Sequence, residues 1–96
     1  MSKNVTVDIR VYGWNKYPAP SVGLLVYEVH SWWFLSWEVY VTGVRGDVAG
    51  NIRVVLPKDQ LYRFRFSWAF GPSKMEQISF KGMISDYYRM DVIMPK

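Results

Sequence analysis

The chain has 96 residues, which predicts one domain, residues 1–96, large enough to bury a hydrophobic core. Half of the residues are hydrophobic and 18% are aromatic, which excludes a disordered chain and favours β structure. Cysteine is absent, which excludes disulfides and thiol catalysis, and the net charge of +4 permits acidic partners without requiring them.

Alternation of apolar and polar residues begins at once and predicts β-strands. Residues 4–12 alternate, with Val5 and Val7 among the apolar set. The next segment holds Pro18 and Pro20, which predicts a connection up to residue 20. A second strand is predicted from Val22 to about residue 30.

The segment SWWFLSWEVYV, residues 31–41, predicts a third strand that closes at Gly43 and is apolar on both faces in its first half. A strand of a two-layer fold ordinarily buries one face, so the second face needs a covering. Three coverings are open: the same chain, through residues 14–18 or the strand containing Tyr87 and Tyr88; another protein subunit; or a sugar ring stacked on the aromatic side chains. No run of apolar residues is long enough to cross a bilayer, so no membrane insertion is expected.

Four further strands are predicted in the second half of the chain. GDVAG, residues 46–50, predicts a turn before a short strand with Ile52, Val54 and Leu56, and residues 57–60 predict another turn. Residues 61–68, 75–80 and 87–94 alternate again, with a break at residues 70–73. Seven strands at this spacing predict an all-β fold, a seven-stranded antiparallel β-sandwich of the immunoglobulin-like kind.

Polar residues show no pattern typical of catalysis. His30 is the single histidine, and the neighbouring Ser31 is predicted to point to the opposite face of its strand, so no nucleophile–base pair forms. The acidic residues are spread along the chain, and Asp47 and Asn51 favour capping of the glycine turn over binding Ca²⁺. The sequence therefore predicts no enzyme, no metal and no cofactor.

Two arginines, Arg63 and Arg65, alternate with the aromatic rings of the fifth strand. Basic and aromatic side chains on one surface are typical of proteins that bind single-stranded nucleic acid. Alternation places these arginines and the rings of the same strand on opposite faces, which disfavours nucleic acid as a partner.

The stretch DVAGNIRVVLPKDQLYRFRFSWAFG, residues 47–71, resembles transthyretin-like, carboxypeptidase-regulatory-like domains. PAPSVGLLVYEV resembles the family's first loop and second strand. The matching marks in residues 47–71 are Asp47, Gly50, Ile52, Leu56, Pro57, Tyr62 and Gly71. The resemblance implies that family's β-sandwich. It also implies the settings in which such domains occur, namely extracellular, cell-surface or virion assemblies and filaments. A tyrosine corner at Tyr62 is expected in such a sandwich, its hydroxyl reaching nearby backbone.

We therefore expect a non-catalytic structural or interaction module, of the surface-layer, virion or filament-subunit type, that self-associates or docks to a partner protein. A chain that is only this domain favours an assembling subunit over an appended module. Two alternatives stay open: a carbohydrate-binding module using surface tryptophans, and a single-stranded nucleic-acid binder using Arg63 and Arg65. The predicted interaction surface lies on the aromatic third strand, supported by the first loop: Trp32, Trp33, Phe34, Trp37, Tyr40, Tyr12, Trp14 and Tyr17.

Overall fold

A computed structural model describes residues 3–96, and within that range the chain is all β, with no helix. The predicted all-β class and the seven strands are confirmed. The strands are β1 Asn4–Tyr12, β2 Gly23–Trp32, β3 Leu35–Arg45, β4 Asn51–Pro57, β5 Leu61–Ser67, β6 Lys74–Ser79 and β7 Tyr87–Ile93.

The strands form two sheets, one in the order β4-β1-β7 and the other in the order β3-β2-β5-β6. All neighbouring pairs are antiparallel except β1 and β7, which run parallel, with Val7 opposite Tyr88. The prediction of a wholly antiparallel fold is wrong for this pair. Alternation identifies a strand and its buried face but does not encode which neighbour it meets or in which direction.

One hydrophobic cluster joins the two sheets into a sandwich-like architecture. Alternate residues of each central strand point into it, as the period of two requires. Its buried members are Val5, Val7, Ile9, Val11, Ala19, Val22, Leu24, Val26, Ile52, Val54, Leu56, Tyr62, Phe64, Phe66, Phe80, Val92 and Met94.

The turn before β4 has the predicted chemistry. Gly50 has a φ of +83°, and a Cβ at this position would lie 2.5 Å from the carbonyl oxygen of Val11, so the turn requires glycine. The Oδ1 of Asp47 accepts hydrogen bonds from the backbone N–H groups of Ala49 at 3.0 Å and Asn51 at 2.8 Å. Both bonds stabilise the charged carboxylate and so lower the pKa of Asp47, and the bond from Asn51 has the larger effect.

The expected hydroxyl–backbone contact of Tyr62 is present. The buried Tyr62 donates a 2.6 Å hydrogen bond from its hydroxyl to the carbonyl of Pro57, linking β5 to the turn before it. Burial, assisted by the charge of Glu28, raises the pKa of Tyr62 to about 12. The ring therefore fills the core while its polar end stays hydrogen-bonded.

Residues 31–41 do not form a single strand, and the prediction of a two-faced third strand is wrong. β2 ends at Trp32, and β3 begins at Leu35, which lies opposite it. A two-residue turn, Trp33 and Phe34, joins the two strands. Trp33 has a φ of +55°, at the turn position where hairpins usually place glycine. Because neither turn residue is a typical turn former, alternation alone did not reveal the reversal of the chain.

Candidate functional site: an aromatic hairpin arm

The hairpin of β2 and β3 extends beyond the rest of its sheet. Pairing of β2 with β5 ends at Glu28 opposite Tyr62, whereas pairing of β2 with β3 continues to Trp32 opposite Leu35. Residues 29–38, here called the aromatic arm, are therefore a two-stranded ribbon whose backbone pairs only with itself in the part of the chain that the structure describes. Such a ribbon is marginally stable in water without a further strand or surface against it.

The tip of the arm is strongly exposed. Trp32 is 66% exposed, Trp33 85% and Phe34 88%, so of the three coverings left open the first is excluded for residues 3–96, which do not cover these rings. Both segments considered for that covering lie elsewhere: residues 14–18 precede the start of β2, and Tyr87 and Tyr88 belong to β7 in the other sheet.

The inward-facing side of the arm is aromatic and apolar. His30 is paired with Trp37, their rings stacked with centroids 5.8 Å apart and planes inclined by 21°, and Trp32 is paired with Leu35. Alternation along β2 places His30 and Trp32 on the same face as the buried Val26. The arm thus prolongs the core-facing side of its sheet past the end of the core.

The charged side chains of the arm and its base are acidic. Glu28, at the base, has its Oε2 3.0 Å from the Nε2 of His30, two residues along the same face. Glu38 lies on the other face, where it forms an ion pair with Arg63 of β5. His30 therefore has a carboxylate partner. Sequence alone could have indicated it, because residues two apart on a strand point to the same face.

The remaining predicted contact residues divide between the two ends of the molecule. Tyr40, on β3, lies with its ring centroid 6.0 Å from that of Tyr27 and is half exposed. Tyr12 ends β1, and Trp14 and Tyr17 follow in the β1–β2 loop, where the Nζ of Lys96 lies 4.9 Å from the Trp14 ring. These three cannot support the arm, because the ten residues of β2 separate that loop from the tip.

The face of the arginines differs from the sequence expectation in one respect. Arg63 points away from the rings of its own strand, as predicted, but it pairs with Tyr27, which pairs in turn with Tyr40. Rings from neighbouring strands therefore share the arginine face. The guanidinium of Arg63 is engaged by Glu38 and by the Oε1 of Gln77 at 3.2 Å.

A cleft of about 460 Å³ lies at the end of the sheet opposite the arm tip, and sequence analysis missed it. We call it the Trp68 cleft. Three segments line it, around residues 20–23, 45 and 67–70, through Pro20, Ser21, Gly23, Arg45, Ser67, Trp68, Ala69 and Phe70. The Nε1 of Trp68 is buried and has no hydrogen-bond partner among residues 3–96. The ring of Phe70 meets that of Trp68 edge to face at 5.4 Å.

A second depression, of about 480 Å³, lies on the outer face of the other sheet. Its central group is Asp8, which accepts hydrogen bonds from Arg53 at 2.7 and 2.9 Å and from the Tyr87 hydroxyl at 2.6 Å. These partners, Arg53 first, lower the pKa of Asp8 to about 2. The depression is therefore built around an ion pair that is satisfied within the chain.

Residues 3–96 contain neither a cluster of metal-ligating side chains nor a helix that could span a membrane. No three His, Asp or Glu side chains lie where they could hold a metal ion together. No helix in the described range is long and apolar enough to cross a membrane.

Comparison with known proteins yields a fold and no family. No protein-family model matches the chain, and no curated protein sequence matches it. Among solved structures, a 9R-lipoxygenase from Cyanothece PCC8801 superposes with a TM-score of 0.57 at 12% identity. The match covers 97% of this chain but 17% of the lipoxygenase chain. At that identity the similarity shows the fold alone.

Proposed function

We propose that this chain is a non-catalytic interaction module that self-associates through its aromatic arm. The observation that carries the proposal is the exposure of Trp33 and Phe34, 85% and 88%, at the tip of a ribbon beside which residues 3–96 place no other strand. Contiguous exposed aromatic patches mark protein interfaces, whose centres are enriched in tryptophan, tyrosine and phenylalanine.

The size of the patch supports a protein partner. The exposed parts of Trp32, Trp33, Phe34, Leu35 and Trp37 amount to an area on the order of 700 Å², taking about 150–250 Å² for a whole aromatic side chain. A standard interface buries about 800 Å² on each partner. The arm alone therefore supplies most of the area that a stable contact needs.

The two other candidate functions have less support. A sugar platform needs coplanar rings, whereas Trp32 and Trp33 are inclined by 41° with centroids 6.2 Å apart. A strand of nucleic acid needs several free arginines, whereas Arg63 is paired with Glu38 and, of the two candidate arginines, this leaves the exposed Arg65 alone. The transthyretin-like relationship and an extracellular, cell-surface or virion setting remain predictions.

The test removes the arm's tip while preserving its turn. The double variant Trp33→Gly, Phe34→Asn places a favoured dipeptide in the hairpin and relieves the positive φ of Trp33, whose cost is about 1 kcal/mol. We expect an unchanged or slightly higher free energy of unfolding and a loss of self-association. Sedimentation equilibrium over a dilution series measures the second effect.

The matched control is Ile84→Ser, which removes a 79% exposed apolar side chain from the β6–β7 loop. This control should associate as the unmodified chain does. An unmodified chain that stays monomeric at the highest concentration, or a tip variant that associates equally well, would overturn the proposal.

A further inference from the structure

We infer that the arm tip of one copy inserts into the Trp68 cleft of the next, so that copies assemble head to tail. The inference rests on the proposed function and adds the receiving surface and the symmetry. Its occupant is specific: the Trp33–Phe34 turn of a second copy of this chain.

The positions of the two surfaces exclude a two-fold dimer. Gly23, which lines the cleft, begins β2, and Trp32, beside the tip, ends it. Ten extended residues place them about 30 Å apart, in a molecule whose longest extent is 39 Å. Contact between two different surfaces at opposite ends is heterologous, and it generates rings or filaments rather than a two-fold dimer.

The Trp68 side chain in the cleft has an N–H group without a hydrogen-bond acceptor among the described residues, and the tip carries backbone carbonyls. The Trp68 Nε1 is a buried donor without an acceptor among the described residues, and buried donors are nearly always paired. Trp33 and Phe34 lie in the turn, beyond the Trp32–Leu35 pair that closes the ladder, so their carbonyl oxygens are not used by it. Because this nitrogen is closed to solvent, the tip carbonyl reaches it only if the Trp68 ring shifts as the tip enters the cleft, and we infer such a shift on docking.

Shape and charge are also complementary. The tip presents two exposed rings, and the cleft of about 460 Å³ has the edge-to-face rings of Trp68 and Phe70 on one wall. The arm and its base carry Glu28 and Glu38, whereas the charged residue lining the cleft is Arg45, held by a 3.4 Å hydrogen bond to the Ser21 carbonyl. In this orientation Arg45 of the receiving copy adds a second cation to carboxylates that already contact His30 and Arg63, and tip-to-tip contact supplies no such cation.

Edge-to-edge pairing of two β3 strands is the competing arrangement. β3 is an edge strand, but its pairing with β2 shifts register between Val26 and Tyr27, leaving Val41 without a partner in the ladder. A bulge of this kind twists an edge and disfavours its pairing with another strand. Edge pairing also leaves the Trp68 donor unpaired.

The experiment mixes copies that are blocked at opposite ends. The arm-blocked copy is Trp33→Gly, Phe34→Asn, and the cleft-blocked copy is Arg45→Glu, Phe70→Asp, which changes two exposed residues and repels the acidic arm. We expect each alone to associate about thirtyfold or more weakly than the unmodified chain, as for loss of a hot-spot contact. A one-to-one mixture should form a heterodimer, because the intact arm of one copy can enter the intact cleft of the other. The heterodimer should grow no further, because its remaining arm and its remaining cleft are both blocked.

The matched control, Arg65→Glu with Met75→Asp, makes the same charge changes on the outer face of the sheet and should assemble normally. Thermal melts confirm that all variants fold. Cleft-blocked copies that associate as the unmodified chain does would overturn the head-to-tail inference while leaving self-association intact. A monomeric unmodified chain would instead overturn the proposed function itself.

Discussion

At the scale of single residues, Trp33 combines two unfavourable features. Its φ of +55° belongs to the region that favours glycine, and its large apolar side chain is 85% exposed. Each feature costs free energy, and neither contributes to the hydrophobic core. Residues that break local rules in this way cluster at functional sites, because folding alone does not maintain them. Trp33 is therefore the residue that most strongly associates the arm with a role in binding.

Asp8 determines a second property at this scale, the stability of the protein in acid. Its pKa is about 2 in the folded chain against 3.8 ordinarily, chiefly because Arg53 and Tyr87 donate hydrogen bonds to the charged carboxylate. The unfolded chain therefore binds more protons in this range, so the contribution of Asp8 is complete above about pH 4 and is lost as the pH falls towards 2.

We expect Asp8→Asn to remove this component of the acid dependence. Urea denaturation at several values between pH 5 and pH 2 measures it as the difference between the variant and the unmodified chain. Arg53→Gln should remove the larger part of this component and leave the part due to Tyr87, and the double variant should lose little more than Asp8→Asn alone because Arg53 acts through Asp8. Fully additive losses would show that Asp8 has its low pKa for another reason.

At the scale of elements, predictability from sequence followed the chemistry of the turns. Gly50 and Pro57 mark their turns by residue type, and the strands on either side were correctly placed. The Trp33–Phe34 turn contains no glycine, proline, asparagine or aspartate, so the second strand was predicted to end at about residue 30 and the hairpin's tip was assigned to the third strand. The Trp68 cleft combines three segments distant in sequence, and no local pattern encodes such a juxtaposition.

The arm should be dispensable for folding. Replacing residues 29–38 by Asn-Gly joins Glu28 to Val39, which already face each other as a hydrogen-bonded pair across the hairpin, through a dipeptide favoured in two-residue turns. We expect cooperative unfolding with a free energy within about 1 kcal/mol of the unmodified chain, because an isolated ribbon contributes little to stability. Self-association should be lost.

The control for this truncation keeps the arm at full length and replaces only Trp33 and Phe34 by Asn-Gly. Urea denaturation followed by circular dichroism compares the two variants. A truncated chain that unfolds without cooperativity, or that loses several kcal/mol beyond the control, would show that the arm packs on the body of the domain.

At the scale of the whole molecule, the two sheets enclose one hydrophobic core, and the arm tip and the Trp68 cleft lie at opposite ends. One end carries exposed rings, and the other carries a buried N–H donor without an acceptor among the described residues. A chain with complementary ends adds copies one after another until a ring closes or, in a filament, without limit, so its average mass should rise with concentration well beyond twice the mass of the chain. A closed two-fold dimer would instead reach a plateau at twice the mass of the chain.

Truncated copies provide a decisive test of this polarity, because they retain the cleft but lack the arm. Added in small amounts to the unmodified chain, they should occupy arm tips and stop growth at one end, lowering the average mass measured by light scattering. Copies blocked at both arm and cleft have nothing to bind with and should leave the mass unchanged. If the truncated and doubly blocked copies act alike, the arm does not engage the cleft, and assembly proceeds through another surface such as the edge of β3.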